Sequence, residues 1–159
     1  MSLLDKEPVK RAKKFLKEFD KFLKVIILEN SARTAQDAAM ALSCDVGAIV
    51  KSLLFKTEDS YILCLIAGDK RCSLNKLKKT KDKKDISMAS LEDVKTQTGY
   101  TIGGVSPVGH LNRIEIFIDK SLERFSDLYA AAGHPNCVFK INFKNLRKIT
   151  NGKVEDIIE

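Results

Sequence analysis

Two apolar, β-branched runs, Ile49-Val-Lys-Ser-Leu-Leu-Phe-Lys56 and Tyr61-Ile-Leu-Cys-Leu-Ile-Ala67, are separated only by the polar Thr57-Glu-Asp-Ser60. Runs of this length joined by a short turn predict an antiparallel hairpin, and a chain built around it needs a sheet with a covered face. Further elements surround the hairpin. Pro8 suits a first helical turn, and Val9, Ala12, Leu16, Phe19 and Leu23 recur at helical spacing, predicting a helix at about 8–24. Val25 to Leu28 reads as a short buried strand. Thr34, followed by Asp37 three residues on, predicts an N-cap for the Ala-rich helix after it. Ser73 and Ser90 read as further caps, and Gly99 as a helix end. Ile114, Ile116 and Ile118 alternate as in a half-buried strand. Asp127 to Ile141 reads as two strands joined at Gly133-His-Pro-Asn136. A short helix at Phe143-Lys-Asn-Leu-Arg-Lys-Ile149 and a terminal strand around Val154 complete the pattern.

Interspersed strands and helices with antiparallel pairs predict a mixed α/β, or α+β, domain rather than a doubly wound parallel sheet. No Pro/Gly/Ser-rich linker divides the 159 residues, so one domain spanning 1–159 is expected. No stretch reaches the roughly 18 apolar residues of a membrane span, and the N-terminus lacks a signal-peptide core; a cytoplasmic protein is expected. Cys44, Cys64, Cys72 and Cys137 form no CxxC pair and no zinc-like spacing with histidine. They read as buried reduced thiols, with no metal and no cofactor expected.

Three features bear on chemistry. Gly99 to His110 contains four of the eight glycines and one of the three prolines. Gly103, Gly104, Val105, Ser106 and Pro107 form either a plain structural loop or a fixed array of backbone groups that binds an oxyanion or positions a water. Lys51 interrupts an apolar strand. It either points to solvent by strand alternation or is a buried cation that needs a phosphate or carboxylate partner. Neighbouring Ser52 reads as structural, since no GxSxG elbow surrounds it. The Gly133-His134-Pro135-Asn136 turn explains itself as a strand connection or borders a site. The formal charge is +7, and six of the nine residues from 76 to 84 are lysines: Lys76, Lys78, Lys79, Lys81, Lys83 and Lys84. Such a run is either a solvated face or a phosphate-tracking patch.

Taken in order, Ile49 to Phe55, Gly68-Asp69, Thr98-Gly-Tyr-Thr-Ile-Gly-Gly-Val-Ser-Pro-Val-Gly-His110, Ile118-Asp-Lys-Ser-Leu122 and Ala131-Ala-Gly-His-Pro135 resemble the YbaK/EbsC family from about Asn30 to the C-terminus. That family includes the editing domain inserted in many bacterial prolyl-tRNA synthetases. The resemblance implies a mostly antiparallel, barrel-like sheet flanked by helices. It implies hydrolysis of the ester joining a wrong amino acid to the terminal adenosine of tRNA, without a metal. It assigns Lys51 to the functional lysine, residues 103–107 to the loop that holds substrate and water, and Gly133 to a position beside the pocket; on this reading His134 is expected to border the pocket with Gly133 and Thr34 to line it. Mischarged tRNA is the implied partner, with room for an aminoacyl-tRNA synthetase and with no DNA or membrane partner. The six lysines at 76–84 would then track RNA phosphates. A non-catalytic tRNA-binding module of the same fold is the alternative. Which amino acid is removed stays open, as does the role of the N-terminal helix.

Overall fold

Helix α1 (Glu7–Phe19) starts with proline in its first turn and buries Val9, Ala12 and Leu16 completely. Those three positions share one helical face, and full burial contributes on the order of 1.5–3 kcal/mol for each of the two larger side chains. The structure, a computed structural model, describes residues 2–30 and 32–159. After α1 come β1 (Ile26–Ile27), α2 (Ala35–Leu42), β2 (Val50–Lys56), β3 (Tyr61–Ala67), α3 (Leu74–Lys81) and β4 (Ser87–Met88). Then follow α4 (Leu91–Thr98), β5 (Glu115–Asp119), β6 (Leu128–His134), β7 (Cys137–Ile141), α5 (Phe143–Thr150) and β8 (Lys153–Glu155). The architecture is α+β. Among the described residues no helix is long and apolar enough to cross a membrane.

The predicted hairpin is present, with Lys56 opposite Tyr61 and Val50 opposite Ala67. Its turn is closed by Thr57, whose N–H donates to the Ser60 carbonyl at 2.8 Å and whose hydroxyl accepts from the Ser60 N–H at 2.9 Å. Strand β3 is buried on both pleat faces. Leu63, Leu65 and Ala67 pack toward α1 and the β6–β7 pair, while Ile62, Cys64 and Ile66 pack with Leu77 of α3. The hairpin therefore forms a middle layer with cover on each side.

The strands form a five-stranded sheet, β4-β2-β3-β5-β8, and a three-stranded sheet, β1-β7-β6. Antiparallel pairs predominate, but β5 runs parallel to both β3 and β8. The two sheets touch through a bridge between Ile49 and Tyr129 and do not close on each other, so the barrel-like sheet expected from the resemblance is not formed. Helix α1 ends five residues short of the expected boundary. Asp20 takes an extended conformation, and its carboxylate accepts the Phe22 N–H at 2.9 Å, which turns the chain out of the helix. Strand β1 is an edge strand with exposed side chains rather than a buried one; only Leu28 beyond it is buried. Strand β5 is not half-buried as its alternation suggested. Ile116 and Ile118 pack with α1 and the β6–β7 pair and Phe117 packs with Leu77 and Ile157, so both pleat faces are covered and Ile116, Phe117, Ile118 and Asp119 are buried alike. The Asp119 carboxylate is satisfied there by the N–H groups of Ile157 and Ser121, each at 2.9 Å.

The caps follow the sequence signals. Thr34 Oγ1 accepts the Asp37 N–H at 3.1 Å, and Ser90 Oγ accepts the Asp93 N–H at 3.1 Å. Ser73 caps α3 in the same way at 3.2 Å. Helix α4 ends at Gly99 with φ +79°.

Candidate functional site

The outer edge of β2 is covered at two points. Ile49 bridges to Tyr129 of β6, and Phe55 and Lys56 pair with β4. Between them residues 50–54 have β3 on one side and a cavity of about 370 Å³ on the other. Helix α2, the 102–105 stretch of the glycine loop and the β6–β7 pair complete its walls. Because the cavity runs along a strand edge, residues of both pleat faces line it. Most of the lining is apolar, with several alanines. Among the described residues none of the lining side chains is Cys, His, Asp or Glu.

Lys51, Thr34, Gly103 and Val105 meet at this cavity. Lys51 is half-buried, and its ammonium donates to the Lys70 carbonyl in the turn after β3. Burial pulls the Lys51 ammonium below the ordinary lysine range, and the nearby Arg71 guanidinium acts in the same direction. Asp69 opposes both. An ammonium has three donors, and the carbonyl uses one. Thr34 commits its hydroxyl to the α2 cap.

The loop is held at defined points. The Gly104 N–H donates to the Thr101 carbonyl at 2.9 Å, and the Gly104 carbonyl accepts the Gly133 N–H at 3.1 Å. Gly103, at φ +90°, and Val105 line the cavity, and their N–H groups make no hydrogen bond among the described residues. Gly104, Ser106 and Pro107 stand behind this wall. Ser106 is fully buried, and its carbonyl meets His110 Nε2 at 2.7 Å. Pro107 borders a separate hollow with Val108 and His110.

Gly133 and His134 do not line the cavity; Ala131 and Pro135 on either side of them do. His134 Nδ1 accepts the Asn136 N–H at 3.0 Å, so the ring serves the turn. Burial first, and the Lys6 charge second, hold His134 below the ordinary histidine range. Asn136 in turn donates to the carbonyls of Leu28 and Asn30, tying the chain around β1 to the turn.

In the sequence Ser52 reads as a structural residue. The structure places it on the cavity wall between Val50 and Leu54, with its Oγ buried and without a hydrogen-bond partner among the described residues. The signal was present, since apolar residues two positions to either side put Ser52 on a covered pleat face. An unsatisfied buried hydroxyl costs on the order of 1–3 kcal/mol, so a polar ligand group would be welcome beside it.

The lysine run lies elsewhere. Helix α3 packs through Leu77 on the face of the five-stranded sheet that is turned away from α1 and the β6–β7 pair. Lys76 pairs with Asp156 at 3.1 Å, Lys83 with Asp59 at 3.5 Å, and Lys81 with Glu115. Lys78, Lys79 and Lys84 make no ion pair among the described residues. No cysteine lines the cavity, and burial raises the thiol pKa of Cys44, Cys64 and Cys137. For Cys64 a hydrogen bond with Cys72 is the larger cause.

Residues 29–149 match the family model described as the aminoacyl-tRNA editing domain. The uncharacterized protein YwhH of Bacillus subtilis (strain 168) is 35% identical over 127 residues, covering 79% of this chain and 80% of the relative. An Enterococcus faecalis (strain ATCC 700802 / V583) protein named "Putative Cys-tRNA(Pro)/Cys-tRNA(Cys) deacylase EbsC" is 26% identical over 125 residues, covering 78% of this chain and 76% of the relative. A crystal structure described as "a putative trans-editing enzyme for prolyl tRNA synthetase" superposes with a TM-score of 0.92 at 35% identity, covering 97% of this chain and 98% of the other. The match takes in β2 with Lys51, the glycine loop and the β6–β7 turn, so the cavity is built from the matched stretch, and the chain belongs to the aminoacyl-tRNA editing domain family.

Proposed function

We propose that this protein is a trans-acting deacylase that hydrolyses the ester of a mischarged aminoacyl-tRNA. The observation that carries this reading is the meeting of Lys51 with Gly103 and Val105, whose N–H groups are free of hydrogen bonds among the described residues, at one apolar cavity whose described lining holds no thiol, imidazole or carboxylate. An aminoacyl ester is already activated. Fixed donors that polarise its carbonyl and hold a water in line are sufficient chemistry for its hydrolysis. The Gly103 and Val105 N–H groups supply the donors to the ester oxygen. Lys51 anchors a phosphate of the terminal adenosine or the amino-acid end as a point charge. Ser52 Oγ supplies a polar contact inside the cavity, and Thr34 forms part of its rim. Gly104, Ser106, Pro107, Gly133 and His134 keep the loop in place from behind.

The test is release of free amino acid from a panel of mischarged tRNAs. The name carried by the Enterococcus relative makes Cys-tRNA(Pro) the first member of that panel, with alanine, serine and proline esters beside it. Hydrolysis of at least one member is expected. Tight tRNA binding with no release would favour a non-catalytic binding module instead. Equal turnover of a minimal aminoacyl-adenosine ester would show that the RNA body is dispensable.

The lysine run is proposed as a contact for the tRNA body, away from the ester. Lys78, Lys79 and Lys84 are the candidates, because the other three already neutralise carboxylates. Changing these three to Gln is expected to weaken tRNA binding and to reduce the log–log salt slope by about 0.7–0.9 per lost phosphate contact. The single-turnover rate at saturating tRNA should not change. An identical salt slope in the triple variant would return the run to a solvated face.

A further inference from the structure

Arg11 of α1 lies outside the stretch matched by the family, yet its side chain is only 15% exposed. Its Nε donates to the Gly109 carbonyl at 2.7 Å, and Nη2 donates to the Gly99 carbonyl at 2.9 Å and to the Thr98 carbonyl at 3.4 Å. Nη1 is held by the Glu7 carboxylate one turn earlier. The guanidinium lies 4.6 Å from the centre of the Tyr100 ring, and the Tyr100 hydroxyl donates to the Val108 carbonyl at 2.7 Å. Gly99 and Gly109 are the two ends of the loop that contains Gly103 and Val105. One planar fork therefore gathers both ends of that loop, something that a single ammonium cannot do with the same geometry.

The glycines fit this arrangement. A Cβ at Gly99 would stand 2.4 Å from Arg11 Nη2, and one at Gly109 would stand 2.6 Å from the Tyr100 hydroxyl. Both residues have positive φ, at +79° and +78°. Two glycines with no place at the cavity wall are thus what lets Arg11 pack against one end of the loop and the Tyr100 hydroxyl reach across to the other. The middle of the loop leans on α1 as well. Gly104 is bonded to Gly133, and Gly133 is seated on the Pro8–Val9 backbone, where a Cβ would come within 2.7 Å of Pro8.

We propose that α1 is a brace for the glycine loop and that Arg11 is the positioning residue that sets where the Gly103 and Val105 amides stand. It does not line the cavity and acts through the loop ends that it holds. Its effect on rate rests on the deacylase reading above, because a displacement of the order of 1 Å at an oriented site can cost about 100-fold. Its effect on loop order does not rest on that reading.

The test uses the full chain carrying Arg11→Met or Arg11→Lys. Amide hydrogen exchange at Gly104 and Gly133 is expected to speed up by about 10-fold or more in Arg11→Met, with the β3 amides unchanged. Single-turnover deacylation at saturating tRNA is expected to fall by about 10-fold or more, with KM within about 3-fold, and Arg11→Lys should lie between. A purely structural role would lower thermal stability while leaving both the loop amides and the saturated rate of the folded molecules as they were, and that result overturns the proposal. Should Arg11→Met not fold, Arg11→Lys decides, since it keeps the charge and the aliphatic stem. A folded Arg11→Lys protein with wild-type exchange and rate overturns the brace. Should the wild-type protein deacylate nothing, the deacylase reading fails, and the exchange measurements judge the brace alone.

Discussion

Lys51→Ala is expected to fold normally and to lose single-turnover deacylation by at least about 100-fold, the scale of removing one preorganised electrostatic contact from a reacting centre. The fold should survive, because the Lys51 side chain is half-buried and among the described residues bonds only the Lys70 carbonyl, which can turn to water. Its neighbours Val50 and Leu54 carry the packing at this part of β2. The rate should not survive, because a partly desolvated ammonium at a strand edge is the one cation in β2 that lines the cavity. Lys51→Arg is the informative companion. It keeps the charge but replaces a point donor with a wide planar fork, so it should recover only part of the rate. Rapid-quench assays on both variants, with thermal melts as the control for folding, decide the matter. A folded Lys51→Ala protein with near-wild-type rates would remove Lys51 from the mechanism and leave it to the loop amides and the other polar lining residues, Arg33, Thr34 and Ser52.

The sequence carries some of this site plainly and hides the rest. The hairpin, the caps at Thr34, Ser73 and Ser90 and the helix end at Gly99 were legible because each is fixed by residues within a few positions. The burial of β5 was not. Its Ile-x-Ile-x-Ile pattern reads as one covered face, and the other is covered by distant residues, Leu77 of α3 and Ile157, which pack with Phe117. The failure of the sheets to close lies in the same class, since pairings between distant strands leave no local mark. At the site, Lys51, Gly103 and Val105 belong to motifs that lie far apart in the chain and Thr34 to none of them, and the structure brings all four to one cavity. Ser52 was visible by alternation but carries no nucleophile signature, and its missing hydrogen bond is a property of three-dimensional surroundings. Arg11 was out of reach altogether. In the sequence it is one more cation on an amphipathic helix, and its carbonyl partners are nearly a hundred residues away.

Gly133→Ala is expected to destabilise the protein by at least about 2 kcal/mol. Gly133 has φ +93°, a conformation that costs a residue with a side chain on the order of 1–3 kcal/mol. The added methyl would also stand 2.7 Å from the Pro8 carbonyl carbon and oxygen and 2.8 Å from the Val9 nitrogen. Those are backbone atoms at the start of a helix, so relief requires α1 to lift from β6, where Val9 is completely buried. The smaller conformational freedom of alanine in the unfolded chain returns only about 0.4–1 kcal/mol. Gly103→Ala separates strain from collision. Its φ is nearly the same, at +90°, but its methyl would meet only the Pro135 side chain, at 3.2 Å. Gly103→Ala should therefore lose less stability than Gly133→Ala and more activity, because Gly103 lines the cavity and Gly133 does not. Urea unfolding of the two variants with equal m-values, read beside single-turnover rates, tests the ordering. A Gly133→Ala midpoint equal to the wild type would mean that the start of α1 does not press on the β6–β7 turn, and the seat from which the helix supports the loop would be lost with it.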